Sequence, residues 1–249
     1  MCYPWKVLWY NSVWYRHFNS RTLARQGKIC SECDKLKVQI QHAKNEGKRN
    51  KLIAQKDAHL KDVENVKRLF DSDKERADDD YFVYTFDLQK VLILPVLTTS
   101  VAYYKQKFNL YNLGVHPFPN NQDTSMFIWS EIEGSKGPEE ISSCLVKFLK
   151  DQASSASHIV SYSDRAGGQN RNIKIILALL RLLSDPTMQA EIIDVKYLIS
   201  GHWRLPNDRD FALIEQEIKL QTEIFLPSNY IDIIKCARNE KNTTYVESH

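Results

Sequence analysis

The chain has 249 residues, of which 43% are hydrophobic and 26% charged, and its formal net charge is +3 at pH 7. These values are those of an ordinary globular protein, so the chain can build a buried core and is not an intrinsically disordered protein. The longest aliphatic run, residues 91–97, contains Pro95 and is too short to span a bilayer. The opening residues mix aromatic and charged side chains where a signal peptide has an apolar core, which predicts an intracellular protein without a membrane partner.

The N-terminal part of the chain carries the excess of positive charge. Residues 21–70 hold 13 Lys and Arg against 6 Asp and Glu. Residues 34–76 contain no proline, and their apolar side chains recur at helical spacing, which predicts one or two long helices with a solvated basic face. We therefore assign residues 30–80 to a basic helical region and leave residues 1–29 unassigned.

A pair of cysteines opens the basic region. Cys30 and Cys33 are separated by two residues, a spacing found at zinc sites, and His42 and His59 follow in the predicted helices. A zinc site needs four ligands, and the local spacing supplies no evident fourth, so reduced cysteines without a metal are the alternative. Cys30, Cys33 and His59 are the candidate ligands of a structural Zn²⁺. Five cysteines in a chain of this size do not predict a disulfide framework.

Three strands are predicted after the basic region. Residues 81–86 are aromatic and β-branched, which favours a buried strand, and this run ends on Asp87. Residues 108–115 and 125–132 have the same character and are separated by a segment rich in Pro, Asn and Asp, which predicts a hairpin.

Helices and strands alternate after the hairpin. A helix with one apolar face follows Gly137, and a strand over residues 158–163 ends on Asp164. A glycine turn then leads into a second helix, residues 192–199 form a strand, and a last helix begins near Asn207. The order β-β-β-α-β-α-β-α is that of the α/β, RNase H-like fold with a mixed five-stranded sheet.

The acidic residues match the places where that fold binds metal. We assign residues 81–226 to the RNase H-like domain and residues 227–249 to a C-terminal tail. Metal-binding carboxylates of the fold stand on the first strand, after the fourth strand and at the start of the last helix, where this chain has Asp87, Asp164 and Asp208. Two Mg²⁺ or Mn²⁺ ions about 3.5–4 Å apart stabilise the attacking and leaving oxygens of a phosphodiester, and such hard cations take oxygen ligands. Taken singly, Asp87 and Asp164 could merely end strands; their joint placement favours a metal site.

The third acid has two candidates on the last helix. Asp208 and Glu215 are seven residues apart and share a helix face, about 10 Å apart along the axis, so they cannot both bind one ion directly. We prefer Asp208, because it begins the helix. Asp210 points about 160° away from Asp208, and as an acid three residues after Asn207 it is interpreted as a structural helix-start residue.

Several motifs are shared with a known group of proteins. The motifs are Phe86-Asp87-Leu88-Gln89, Tyr103-Tyr104-Lys105, Leu110-Tyr111-Asn112-Leu113-Gly114, Ser163-Asp164, Gly168-Gln169-Asn170, Gly201-His202 and Pro206-Asn207-Asp208-Arg209-Asp210-Phe211. From Cys30 to the C-terminus the chain resembles a large, mostly uncharacterised family of transposon-derived animal proteins. The resemblance implies a DDE-type core of the transposase and retroviral integrase superfamily.

Further polar residues are candidates for contact with nucleic acid. His202 could transfer a proton or bind the scissile phosphate. Side chains that could bind phosphates, or that simply cap and solvate helices, are Gln169, Asn170, Asn172, Lys48, Arg49 and Lys51.

The sequence therefore predicts a polynucleotidyl transferase or nuclease that acts on DNA in the nucleus and could form a homo-oligomer. Two other hypotheses stay open. One is a catalytically inactive, domesticated transposon remnant that binds nucleic acid or a protein partner. The other is a coiled-coil interaction protein whose C-terminal domain is a scaffold.

Overall fold

The computed structural model describes residues 30–97, 107–118, 124–165 and 168–237. These ranges hold six strands and six helices, which make a mixed α/β structure. Contacts divide the chain into two compact units, residues 1–56 and residues 57–249. No helix within the described ranges is both long enough and apolar enough to cross a membrane.

The described part of the first unit is helical, as predicted. Helix α1 (Ser31–His42) has Glu32 and Asp34 in its first turn, where carboxylates favour the positive end of the helix dipole. Helix α2 (Glu46–Arg76) begins in this unit and continues without a break into the second. Its start is capped by the Asn45 side chain, whose Oδ1 accepts a hydrogen bond from the Gly47 amide at 2.8 Å.

The second unit is built on one mixed sheet. Its strands are β1 (Tyr81–Leu88), β2 (Leu92–Leu94), β3 (Phe108–Phe118), β4 (Ser125–Ser130), β5 (His158–Asp164) and β6 (Ile192–Leu198). Strand β1 pairs antiparallel with β3 on one side and parallel with β5 on the other. Strand β4 lies on the far side of β3, β6 lies beyond β5, and β2 pairs with β3 beyond the end of β1.

Helices cover both faces of the sheet. They are α3 (Pro138–Gln152), α4 (Ile173–Leu183), α5 (Pro206–Leu220) and α6 (Pro227–Ala237), together with the C-terminal part of α2. Side chains alternate between faces along a strand, so Phe82, Tyr84 and Phe86 of β1 pack with α3 and α4. On the opposite face Val83 packs with Phe70 of α2, while α5 and α6 close a third cluster over β2, β3 and β4.

The predicted α/β class and mixed sheet are confirmed, but two segments differ from the prediction. The sheet has six strands rather than five, because Leu92–Leu94 adds a short strand. The segment predicted as a C-terminal tail begins with α6, whose Tyr230, Ile233 and Ile234 are buried. These apolar side chains fall on one helix face and need a partner, which the α5 side of the sheet supplies.

Candidate functional site

Asp87 and Asp164 end two neighbouring parallel strands at the same edge of the sheet. Phe86 and Ser163 are the last register pair of β1 and β5, and Asp87 and Asp164 are the residues that follow them. Neighbouring strands are about 4.7–4.9 Å apart, and residues in register point to the same face. The backbone of the sheet therefore places Asp87 and Asp164 at neighbouring strand ends.

The first turn of α5 is fixed against this edge by a buried amide. Asn207 is fully buried; its Oδ1 accepts a hydrogen bond from Thr85 Oγ1 at 2.8 Å and its Nδ2 donates to the Gly114 carbonyl at 2.8 Å. Thr85 lies on the same strand face as Asp87, and Gly114 is the register partner of Asp87 on β3. The start of α5, which carries Asp208, is thus tied to β1, the strand of Asp87, and to its neighbour β3.

The three acids of α5 have different surroundings. Asp208 Oδ2 accepts a hydrogen bond from the Leu205 amide at 3.0 Å, so this carboxylate reaches back to the residue before the helix and satisfies its amide. Asp210 is buried, and its Oδ2 lies 3.1 Å from His116 Nδ1 on β3, so it contacts the sheet, and the helix-start position predicted for it belongs to Asp208. Glu215 is exposed on the second half of the helix.

Asp164 is hydrogen-bonded to the loop that joins β6 to α5. Its Oδ1 accepts from the Ser200 hydroxyl and from the Arg165 amide. The loop turns at Gly201, whose φ of +82° is in the left-handed region that favours glycine. This loop therefore contacts one predicted metal-binding acid, Asp164, near its start and leads to another, Asp208.

A different set of side chains forms a group that could hold a metal ion. The ligand atoms of Cys30, Cys33, His59 and His202 all lie within 4.8 Å of one another. Three of these residues are the candidate zinc ligands of the sequence, and the fourth is the histidine interpreted there as a proton-transfer group. Within the described ranges this is the one group of three or more acidic, cysteine or histidine side chains that converges in this way; Asp87, Asp164 and Asp208 do not.

The imidazoles of this group face each other directly. The Nε2 atoms of His59 and His202 lie 3.1 Å apart, with ring centroids separated by 5.2 Å. Burial and the neighbouring His59 lower the pKa of His202, which favours the neutral ring that binds metals. Burial, together with Cys30, raises the pKa of the Cys33 thiol, so two adjacent thiolates are unfavourable unless a cation accompanies them.

The predicted phosphate-contacting amides have structural partners. Asn172 caps α4, with Oδ1 accepting from the Lys174 amide at 3.0 Å. Asn170 is buried and donates from Nδ2 to the Asp164 carbonyl at 3.3 Å, while Gln169 beside it is half-buried. The predicted basic contacts of α2 are exposed to solvent; they are Lys48, Arg49 and Lys51.

Sequence reasoning did not single out the polar residues that position the acids. Thr85 and Ser200 are small polar residues without a distinctive local pattern, so nothing in the sequence marks them. Asn207 and Gly114 fall within motifs named above, but their hydrogen bond joins residues 93 positions apart. Only the pairing of β1 with β3 and the docking of α5 reveal it.

Comparison with protein-family models, with curated proteins and with solved structures gives no match.

Proposed function

We propose that the chain is a nucleic-acid-processing domain of the RNase H-like kind, derived from a transposase and acting on DNA phosphodiesters. The observation that supports this proposal is that Asp87 and Asp164 follow the last register pair of the neighbouring strands β1 and β5. The RNase H-like fold requires its first and fourth main strands to be neighbours, and the central position of β1 between β3 and β5 is consistent with that requirement. Action on chromosomal DNA would place the protein in the nucleus.

The chemistry of the donor set suits a hard divalent cation. Two carboxylates at adjacent strand ends offer oxygen ligands, and Asp208 follows the buried Asn207 that is anchored to Gly114. Carboxylates without a cation repel each other and bind other donors, as Asp164 does with Ser200 and Asp208 does with the Leu205 amide. Mg²⁺ or Mn²⁺ bound there would stabilise charge on the oxygens of a reacting phosphodiester, with Asp87, Asp164 and Asp208 holding it.

A second candidate function is binding without catalysis. It is favoured by the bonds of Asp164 to the Ser200 hydroxyl and the Arg165 amide and by the use of Asp208 as a helix cap. Each of these arrangements is satisfactory without a metal ion. In this alternative the fold persists as a transposon remnant, and the exposed basic face of α2 contacts a nucleic acid or a protein.

The metal that fits the cysteine and histidine group is Zn²⁺. Thiolate and imidazole ligands suit Zn²⁺, whereas Mg²⁺ and Mn²⁺ take oxygen ligands. Four protein ligands fill a tetrahedral site and leave no position for a substrate, which is the arrangement of a structural zinc. We therefore assign this group a structural role, separate from the carboxylates.

The experiment that tests the catalytic proposal is nicking of supercoiled plasmid DNA by the full chain with Mg²⁺ or Mn²⁺. We expect metal-dependent nicking by the wild type and its loss in Asp87→Asn and Asp164→Asn. Asp151→Asn is the matched control, since Asp151 is an exposed helix residue near Lys147 and should leave the activity unchanged. Equal nicking by the wild type and Asp87→Asn would contradict catalysis at this edge and leave binding as the function.

A further inference from the structure

We propose that His202 is the fourth ligand of the zinc, and that the bound ion fastens the loop between β6 and α5 to helix α2. This inference rests on the structural zinc proposed above and adds what the ion does, which is to hold the loop against the helix. His202 lies in the loop, at residues 199–205, and His59 lies on α2. Their imidazoles are 143 residues apart in sequence and meet at 3.1 Å.

The distance between the two rings fits joint metal binding. In a tetrahedral site with Zn–N bonds of about 2.0–2.1 Å, two nitrogen ligands are about 3.3–3.4 Å apart. The 3.1 Å between the Nε2 atoms is close to this value, and the sulfurs of Cys30 and Cys33 lie within 4.8 Å of both. A plain hydrogen bond between two neutral imidazoles would account for the short distance but not for the two converging thiols.

The packing of the residue next to His202 holds the loop along α2, near His59. Trp203, the next residue, packs edge-on against Phe70 of α2 with ring centroids 5.9 Å apart, so the loop follows the helix surface. His59 and Phe70 are 11 residues apart, three turns of α2, and therefore lie on one helix face. The loop contacts this face at two successive residues, one polar and one aromatic.

Fastening the loop affects both acids that it connects. Ser200, two residues before His202, donates its hydroxyl to Asp164. Leu205, three residues after His202, donates its amide to Asp208 at 3.0 Å. Zinc would thus act as a positioning element for the carboxylate edge, and His202 would be a zinc ligand rather than a group that transfers protons to DNA.

Zinc content of the purified full chain, measured by elemental mass spectrometry, is the first part of the test. We expect about one zinc per wild-type chain. We expect severe loss in His202→Ala and Cys33→Ser, and retention in His202→Cys, which keeps a zinc-binding group. His42→Ala is the matched control, because His42 ends α1 and is not in the metal-capable group, so its zinc content should equal that of the wild type.

Hydrogen exchange of the loop amides is the second part of the test. Removal of zinc by a chelator should speed exchange at residues 199–205 of the wild type at least tenfold, and His202→Ala should exchange fast with or without chelator. A wild type that binds no zinc would overturn the zinc assignment itself. Equal zinc content in the wild type and in His202→Ala, with hydrogen exchange of the loop unaffected by chelation, would overturn the role of His202 but not the zinc site. Neither result depends on DNA nicking, so both are separable from the catalytic proposal.

Discussion

The Nζ atom of Lys196 on β6 lies 2.6 Å from Oδ2 of Asp73 on α2. Asp73 is almost fully buried, and its carboxylate also accepts hydrogen bonds from the hydroxyls of Tyr162, at 2.5 Å, and Tyr81, at 2.9 Å. One carboxylate thus joins the long helix to three strands of the sheet. Its donors satisfy a charge that would otherwise be costly to bury.

Replacing this carboxylate should destabilise the fold strongly. Asp73→Asn removes the buried negative partner and leaves the Lys196 ammonium only the more distant Asp194 carboxylate, 3.7 Å away, so we expect a loss of roughly 3 kcal/mol in the free energy of unfolding. Urea denaturation followed by circular dichroism measures the change. Asp151→Asn, in an exposed pair with Lys147, should change it by less than about 1 kcal/mol, and equal losses in the two variants would contradict the role given to Asp73.

The same network predicts a dependence of stability on pH. Burial opposes ionisation of Asp73, but hydrogen bonds from Lys196, Tyr162 and Tyr81 outweigh it and hold the pKa of Asp73 below its ordinary value. A depressed pKa means that the unfolded state binds more protons, so this stabilisation is present above the unfolded pKa and is lost as the pH falls through the folded pKa.

Thermal melts at a series of acidic pH values measure this effect. Below the ordinary aspartate pKa of 3.8, the wild type should lose stability more steeply than Asp73→Asn, which has no carboxylate to protonate. The difference in stability between the two proteins should therefore shrink toward low pH. Parallel curves over the acidic range would show that Asp73 does not carry the effect.

Gly114 makes room for α5 at the candidate site. A Cβ added there would lie 2.9 Å from the ring of Phe211, closer than side chains tolerate. We expect Gly114→Ala to lower the free energy of unfolding by about 1–3 kcal/mol and to shift the start of α5. Thermal denaturation measures the loss, and Phe211→Leu in the same chain should recover part of it. Additive losses in the double variant would argue against this steric contact.

The sequence predicts the strands of the sheet well because their signals are local. Residues 81–86 and 158–163 are short apolar runs that end on aspartates, and the structure forms β1 and β5 there. Strand β2 has only three residues, next to Pro95, which is too little pattern to recognise. Helix α6 does carry a local signal, since Tyr230, Ile233 and Ile234 recur at helical spacing after Pro227, so it could have been predicted.

The candidate site was predictable only in part, because its residues are distant in sequence. Asp87 and Asp164 follow from the element order, since parallel strands end at one edge of a sheet. The pairing of His202 with His59 does not follow, because it depends on the path of the loop across α2. Cys30 and Cys33 show half of a zinc site in the sequence, and the structure is needed to add His202.

Binding of Mn²⁺ to the zinc-loaded full chain, followed by electron paramagnetic resonance, tests the central claim about Asp87 and Asp164 most directly. We predict binding by the wild type that weakens at least tenfold in Asp87→Asn and in Asp164→Asn and is unchanged in Asp151→Asn. Binding of equal strength in all four proteins would contradict a metal site at the ends of β1 and β5.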